Sequence, residues 1–250
     1  MDPASLNSSP AHPVSVDTAT TMSRDVTRDV TREGSLLDRG NLPSWRSPLA
    51  WCTLLGVFAT GLAIDLLSKS WAFETIAGYP VELDRQRILD DPSFFVPHHA
   101  RSAALPWDLL DFRLVLNHGA VFGIGQQRRG LFIGFTLLAT TAAIVLFARG
   151  TRARMHMMHV AVGMILAGGL GNLFDRIYYG AVRDFLHMLP EWQLPMGWHW
   201  PGNGNGDVFP WVFNIADVML LAGMALFVLS SWIEDRRARR GGEVSMTTAA

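Results

Sequence analysis

The chain has 250 residues, 49% of them hydrophobic and 17% charged, against the roughly 25% charge of an average globular protein. That deficit points to a membrane. A net charge of -1 excludes nucleic-acid binding through bulk basicity, and one cysteine excludes a disulfide framework or a multi-cysteine metal site.

Residues 1–47 are rich in Ser, Thr, Asp, Arg and Pro and hold a small repeat, Arg24-Asp25-Val26-Thr27 then Arg28-Asp29-Val30-Thr31. They contain no apolar run and read as a disordered tail. A basic n-region followed by an apolar h-region is missing, so the segment does not read as a cleavable signal peptide.

Four apolar segments follow, over 49–77, 131–147, 158–174 and 212–233. Each is near the roughly 20 residues a helix needs to cross a hydrocarbon core of about 30 Å. The pattern predicts a mainly α polytopic membrane protein with four transmembrane helices. Ser47-Pro48 supplies an N-cap and a first-turn proline for the first helix. Trp45, Trp51, Trp71, Trp211 and Trp232 lie near the ends of the first and fourth segments, where amphipathic rings prefer the headgroup layer.

Arginine sets the expected orientation. Five precede the first helix, three (Arg149, Arg152, Arg154) join the second to the third, and four (Arg236, Arg237, Arg239, Arg240) follow the last. The two other connections hold theirs over longer stretches, so both termini are expected in the cytoplasm. Arg128-Arg129 beside the second helix runs against this expectation. Two outer loops result, 78–130 and 178–211. The first contains Phe112-Arg113-Leu114-Val115-Leu116 ahead of Asn117-His118-Gly119, a strand and turn that predict a small extracytoplasmic β element. The second is rich in Trp, Pro and Gly and includes the turn formers Gly202 to Asp207.

Ionisable residues inside spans cost at least about 2.5 kcal/mol near a helix centre and are functional hypotheses by default. Here they cluster at one depth: Asp65 and Lys69 near the outer end of the first helix, Asn172, Asp175 and Arg176 on the third, Asn214 and Asp217 on the fourth. Asp65 and Lys69, four apart, share a face and can neutralise one another. With the fourth helix starting at Val212, Asp217 would lie roughly 8 Å below the mouth. Asp184, on the stretch Gly180 to Phe185 that turns back over the outer end, could meet it from the other side. Two facing carboxylates in a low-dielectric site do not both ionise readily, so one keeps a proton. The ionised partner can then activate water while the protonated one polarises a carbonyl, as in aspartic proteases.

Five motif blocks carry a resemblance. Asp65-Leu66-Leu67-Ser68-Lys69, Asn117-His118-Gly119-Ala120-Val121-Phe122, Gly168 to Arg176, Gly180-Ala181-Val182-Arg183-Asp184-Phe185 and Phe213-Asn214-Ile215-Ala216-Asp217 resemble, in order, the blocks of bacterial lipoprotein signal peptidase, signal peptidase II. The resemblance implies a four-helix membrane aspartic peptidase with a periplasmic β-cradle. Its implied substrates are diacylglyceryl-modified prolipoproteins, cut just before the lipidated cysteine at the outer face of the inner membrane. It implies Asp184 and Asp217 as the catalytic pair. Asp65, Lys69, Asn117, Gly119, Asn172, Asp175, Arg176, Asn214 and Ala216 match the supporting positions. No cofactor or metal and no nucleic-acid partner are expected; membrane lipids are, and so is a monomer. The tail, the stretch 78–110 and the insertion 189–210 exceed the family's usual lengths.

Plainer readings exist for each feature. Without the resemblance, Asp184 would be a solvated loop carboxylate and Asp217 a helix-cap carboxylate. Asp65 with Lys69, and Asp175 with Arg176, read as structural ion pairs. His156 and His159 have no carboxylate at metal-site spacing, and His98-His99 reads as a solvated loop pair. Gly123-Ile124-Gly125 lacks the third glycine of a dinucleotide loop, with Arg128 in its place. Cys52, although Leu49-Ala50-Trp51-Cys52 superficially resembles a lipobox, reads as an ordinary helix residue. The rival from another class is a small ion- or proton-coupled transporter, since acids lining a bundle also mark ion pathways.

Overall fold

The computed structural model describes residues 40–91, 94–100, 102–119, 129–201 and 206–248. The repeat in the tail, Ala120 to Phe122, the Gly123 to Gly125 stretch, Arg128 and the turn formers Gly202 to Asn205 lie outside the described residues. Among the described residues of the unit Pro43–Ala250, four helices are long and apolar enough to cross a membrane.

The first, α1 (Pro48–Thr75), starts where Ser47 accepts the Ala50 N–H at 3.3 Å and Pro48 takes the first helical position. A short helix α2 (Arg85–Asp90) follows, capped by the Asp84 carboxylate. After strands β1 (Ser102–Leu105) and β2 (Leu110–Asn117) comes α3 (Arg129–Val145), prolonged by a π-helical turn, Leu146–Gly150. The central helix α4 (His156–Tyr178) ends at Gly180, whose φ of +94° suits the reversal into β3 (Val182–Met188). A two-residue β4 (Val212–Phe213) leads into α5 (Ile215–Thr248).

The helix bounds depart from the hydropathy pattern where polar residues continue a helix or a strand interrupts an apolar run. The third helix runs past residue 174 to Tyr178, so Asp175 and Arg176 are helical. The fourth begins at Ile215 because Val212 and Phe213 are used as strand, and it continues as helix through the basic segment after 233. Asp217 therefore belongs to the first helical turn, and the depth counted from Val212 does not hold. At the far end from the sheet, residues 43–47, assigned to the tail by composition, are folded. Ser44 is fully buried, its hydroxyl 2.7 Å from the Thr151 hydroxyl and 2.9 Å from His159 Nε2.

Most of α4 is buried, whereas the other spans keep broad apolar surfaces exposed. Small residues allow this central position: a Cβ at Gly168 would collide with the Ala216 carbonyl of α5, and one at Gly171 with the Asp65 carboxylate of α1. The four strands form one antiparallel sheet in the order β1-β2-β3-β4, in agreement with the predicted β element. Ala72, Phe73, Ile88, Leu114, Leu116, Ala181, Phe185 and Leu186 form a core between the sheet, α2 and the end of α1. β2 carries one extra residue between Phe112, opposite Leu186, and Val115, opposite Asp184. This bulge leaves the Leu114 N–H outside the ladder, and it donates to His99 Nε2 at 3.1 Å. His99, read as solvated from its Pro-flanked loop, thus has a strand-capping role.

Candidate active site

The polar residues of the five motif blocks converge at the sheet end of the bundle. Asp184 lies in β3, a strand whose residues 182–187 are all buried, and is itself 1% exposed. It is not a loop carboxylate in water. One Asp184 oxygen accepts from Asn117 Nδ2 at 3.0 Å and the other from Asn214 Nδ2. Asp217 is held by reciprocal capping at the start of α5. Asn214 Oδ1 accepts the Asp217 N–H at 3.1 Å, and Asp217 Oδ2 accepts the Asn214 N–H at 3.2 Å. The second Asp217 oxygen accepts from Asn172 Nδ2 at 2.8 Å.

Three amides thus surround the two carboxylates, and each has its orientation fixed by an obligate donor. The Gly119 N–H donates to Asn117 Oδ1 at 3.0 Å, the Lys69 ammonium to Asn172 Oδ1 at 3.0 Å, and the Asp217 N–H to Asn214 Oδ1. Ammonium and backbone N–H groups cannot accept, so the amide atom facing each must be oxygen. The NH2 groups are left for the carboxylates. Asn214 Nδ2 also reaches Asn172 Oδ1 at 3.1 Å, which links the two halves of the site.

Beneath them lies a buried ionic network of two acids and two bases. Lys69 Nζ is 2.8 Å from Asp65 and 3.5 Å from Asp175, all three fully buried. Arg183, 3% exposed, pairs with Asp175 through Nε and Nη2, and its own N–H donates to the same carboxylate at 3.0 Å. Asp65 accepts the Ala216 N–H at 2.9 Å and so ties α1 to the first turn of α5. The formal charges cancel, as a buried network requires. Asp65 with Lys69 is an ion pair as expected. The Asp175 carboxylate pairs with Arg183 at 2.9 Å and with Lys69 at 3.5 Å. Arg176 donates to the Gly119 carbonyl at 3.0 Å and the Asn172 carbonyl at 3.4 Å, and lies over the Phe132 ring.

Arg183 was not singled out from sequence, although it stands in the Gly180 to Phe185 block. The signal was the strand alternation there: one residue before Asp184, it occupies the opposite face, toward the acid at the end of α4. Burial is the larger influence on Asp184 and the Asp217 charge the next; together they outweigh the two amide donors and push its carboxyl up to about 8. A buried Asp184, protonated at neutral pH, and a half-buried Asp217 in one amide cage can hold a water and move its proton. Among the described residues, no buried charged or amide side chain lies in the spans between this cluster and the Ser44–His159 contact at the far end.

A polytopic membrane protein with a paired-acid site at one end of its bundle is the class that fold and geometry define. The signal peptidase (SPase) II family profile matches residues 57–233, and the chain belongs to that family of bacterial integral inner-membrane proteases. The lipoprotein signal peptidase of Methylobacterium radiotolerans is 38% identical over 141 residues, 54% of this chain and 72% of that one. That of Clostridium novyi is 30% identical over 173 residues, 68% and 92% of the two chains. Two solved bacterial membrane enzymes share the fold, with TM-scores of 0.53 and 0.51 at 23% and 21% identity. They cover 74% and 71% of this chain, and 89% and 91% of their own lengths are matched.

Proposed function

We propose that this protein is an aspartic endopeptidase that removes signal peptides from diacylglyceryl-modified prolipoproteins, cutting before the lipidated cysteine. The observation that carries the reading is the pair of a buried Asp184 and a half-buried Asp217, bridged by Asn214 and Asn172. The pair shares a single proton, which burial favours on Asp184. Asp217 accepts a proton from water as the water oxygen attacks the scissile carbonyl. Asp184 donates its proton to the carbonyl oxygen, giving a neutral tetrahedral diol. Asp217 then returns its proton to the leaving amine, Asp184 recovers one from the collapsing diol, and the C–N bond breaks. Asn117, Asn172 and Asn214 orient the acids, with Gly119 and Lys69 setting the amides. Arg176, bonded to Gly119, shapes the wall beside Asn117.

The arginine distribution supports a site on the periplasmic face with both termini cytoplasmic. The enzyme is taken to act as a monomer in contact with membrane lipid, through the exposed apolar surfaces of its spans. The test is cleavage by the purified protein in lipid nanodiscs of a prolipoprotein with and without its diacylglyceryl group. Cleavage at the bond before cysteine in the modified form alone is expected. Equal cleavage of both forms would refute the assigned substrate class, and cleavage of neither would refute the activity.

A further inference from the structure

The connection between the two acid-bearing elements, from Met188 at the end of β3 to Val212 at the start of β4, is far longer than a hairpin needs. Its two sides pair, with Leu194 N–H to Gly206 O at 2.7 Å and Val208 N–H to Trp192 O at 2.8 Å, so it projects as an arm. From Trp192 to Pro201 the arm has no charged residue and reads Trp-Gln-Leu-Pro-Met-Gly-Trp-His-Trp-Pro. Trp200 packs back on Trp211, with ring centroids 5.2 Å apart, but Met196 and Trp198 point outward, 91% and 70% exposed. The β1–β2 turn lies beside its root, since the Leu189 N–H donates to the Leu109 carbonyl at 3.1 Å, and it carries Trp107, 80% exposed.

Backbone strain marks the same place. Among the described residues, the non-glycine positions with left-handed φ are Trp107, Asp108, Leu189 and Met196, at +59°, +51°, +50° and +63°. Trp107, Asp108 and Met196 belong to the two tips, and Leu189 to the root of the arm. Such conformations are disfavoured for bulky side chains and persist where surrounding structure or function holds them.

The depth of the arm follows from the spans. Asp184 shares its cage with Asn172, six residues before the end of α4, or about 9 Å below it at 1.5 Å per residue. Two residues on, Leu186 is opposite Phe112, whose ring is 5.3 Å from that of Trp71, four residues before the end of α1. β3 therefore crosses the bundle end within the last two helical turns instead of standing off it. The arm leaves this strand at Leu189 and returns at Trp211, four residues before α5 begins. Both roots are therefore at the level of the terminal turns of the spans.

We propose that the arm, with Trp107, is a membrane-interface foot whose Met196, Trp198 and Trp107 side chains seat in the headgroup–acyl boundary beside the active site. Trp is the residue that this layer favours, and an uncharged apolar tip at that depth gains by leaving water. The occupant of the exposed face is lipid, because the arm is continuous at both ends with elements already at bilayer level.

The test uses the full chain with its one cysteine replaced, Cys52→Ser or Cys52→Ala, since Cys52 is exposed on α1 and remote from the site. A spin label is placed at Met196→Cys, with Trp198→Cys as a second reporter, in phosphatidylcholine–phosphatidylglycerol nanodiscs. Leu138→Cys, mid-span and 70% exposed on α3, is the lipid control, and Arg239→Cys, beyond the apolar part of α5, is the water control. Collision with oxygen should exceed collision with a water-soluble nickel chelate at both arm positions, in the same sense as at Leu138. Nickel access equal to that at Arg239 would overturn the proposal, leaving the arm in water. Protection from both reagents would also overturn it, because the arm would then be packed on protein.

Discussion

Asn214 does two jobs that a single substitution can separate. Its Oδ1 caps the first turn of α5, and its Nδ2 donates to Asp184. Asn214→Ser keeps a capping oxygen, and Ser is as good an N-cap as Asn, but no NH2 group then faces Asp184. A hydrogen bond to a charged group is worth about 1.5–3 kcal/mol, or about one to two pH units of titration. The lost donor favoured the ionised form, so the Asp184 proton should be held more tightly. In the native protein this proton is lost near pH 8, which should set an alkaline limb in kcat/KM. In Asn214→Ser the limb should move up by about one to two units while the thermal midpoint changes little. The assay is the pH profile of prolipoprotein cleavage in nanodiscs, with unfolding followed in parallel. A limb that stays put or moves down would refute the assignment of the shared proton to Asp184.

Three further outcomes are expected. The Asp184 carboxyl is raised on folding, so the folded state binds more protons than the unfolded chain between about pH 4 and about pH 8, and stability falls as pH rises through that window. In Asp184→Asn this contribution to the pH dependence should vanish, as read by thermal midpoints at pH 5 and pH 8. Lys69→Met leaves Asp65 and Asp175 with Arg183 as the remaining base of the network, an uncompensated buried charge that costs about 3–5 kcal/mol; a midpoint equal to wild type would contradict the network. Gly168→Ala forces a methyl group against the Ala216 carbonyl, and overpacking of this kind costs about 1–3 kcal/mol. Unchanged stability in that variant would show that α4 and α5 are not in close contact there.

Hydropathy made the four spans legible, and the cost of intramembrane charge made Asp65, Lys69, Asp175 and Asp217 legible as one cluster. Spacing alone did not give their partners. Asp175 is neutralised by Arg183, eight residues later on a strand, a partner that helix spacing does not indicate. The start of the fourth helix was misplaced because Val212 and Phe213 are as apolar in a strand as in a span. Their pairing with His187 and Leu186 is a tertiary event that a hydropathy pattern does not encode. The amide cage was visible only as three separate asparagines. Its logic, an obligate donor on each amide oxygen, depends on contacts between residues as far apart as Lys69 and Asn172.

The most direct measurement of the central claim is single-turnover cleavage of a diacylglyceryl-modified prolipoprotein by Asp184→Asn and Asp217→Asn in lipid, with substrate binding measured on the same samples. Two acids acting on one water predict that each variant binds substrate and neither cleaves it. Cleavage at near wild-type rate by either variant would contradict the paired-acid mechanism.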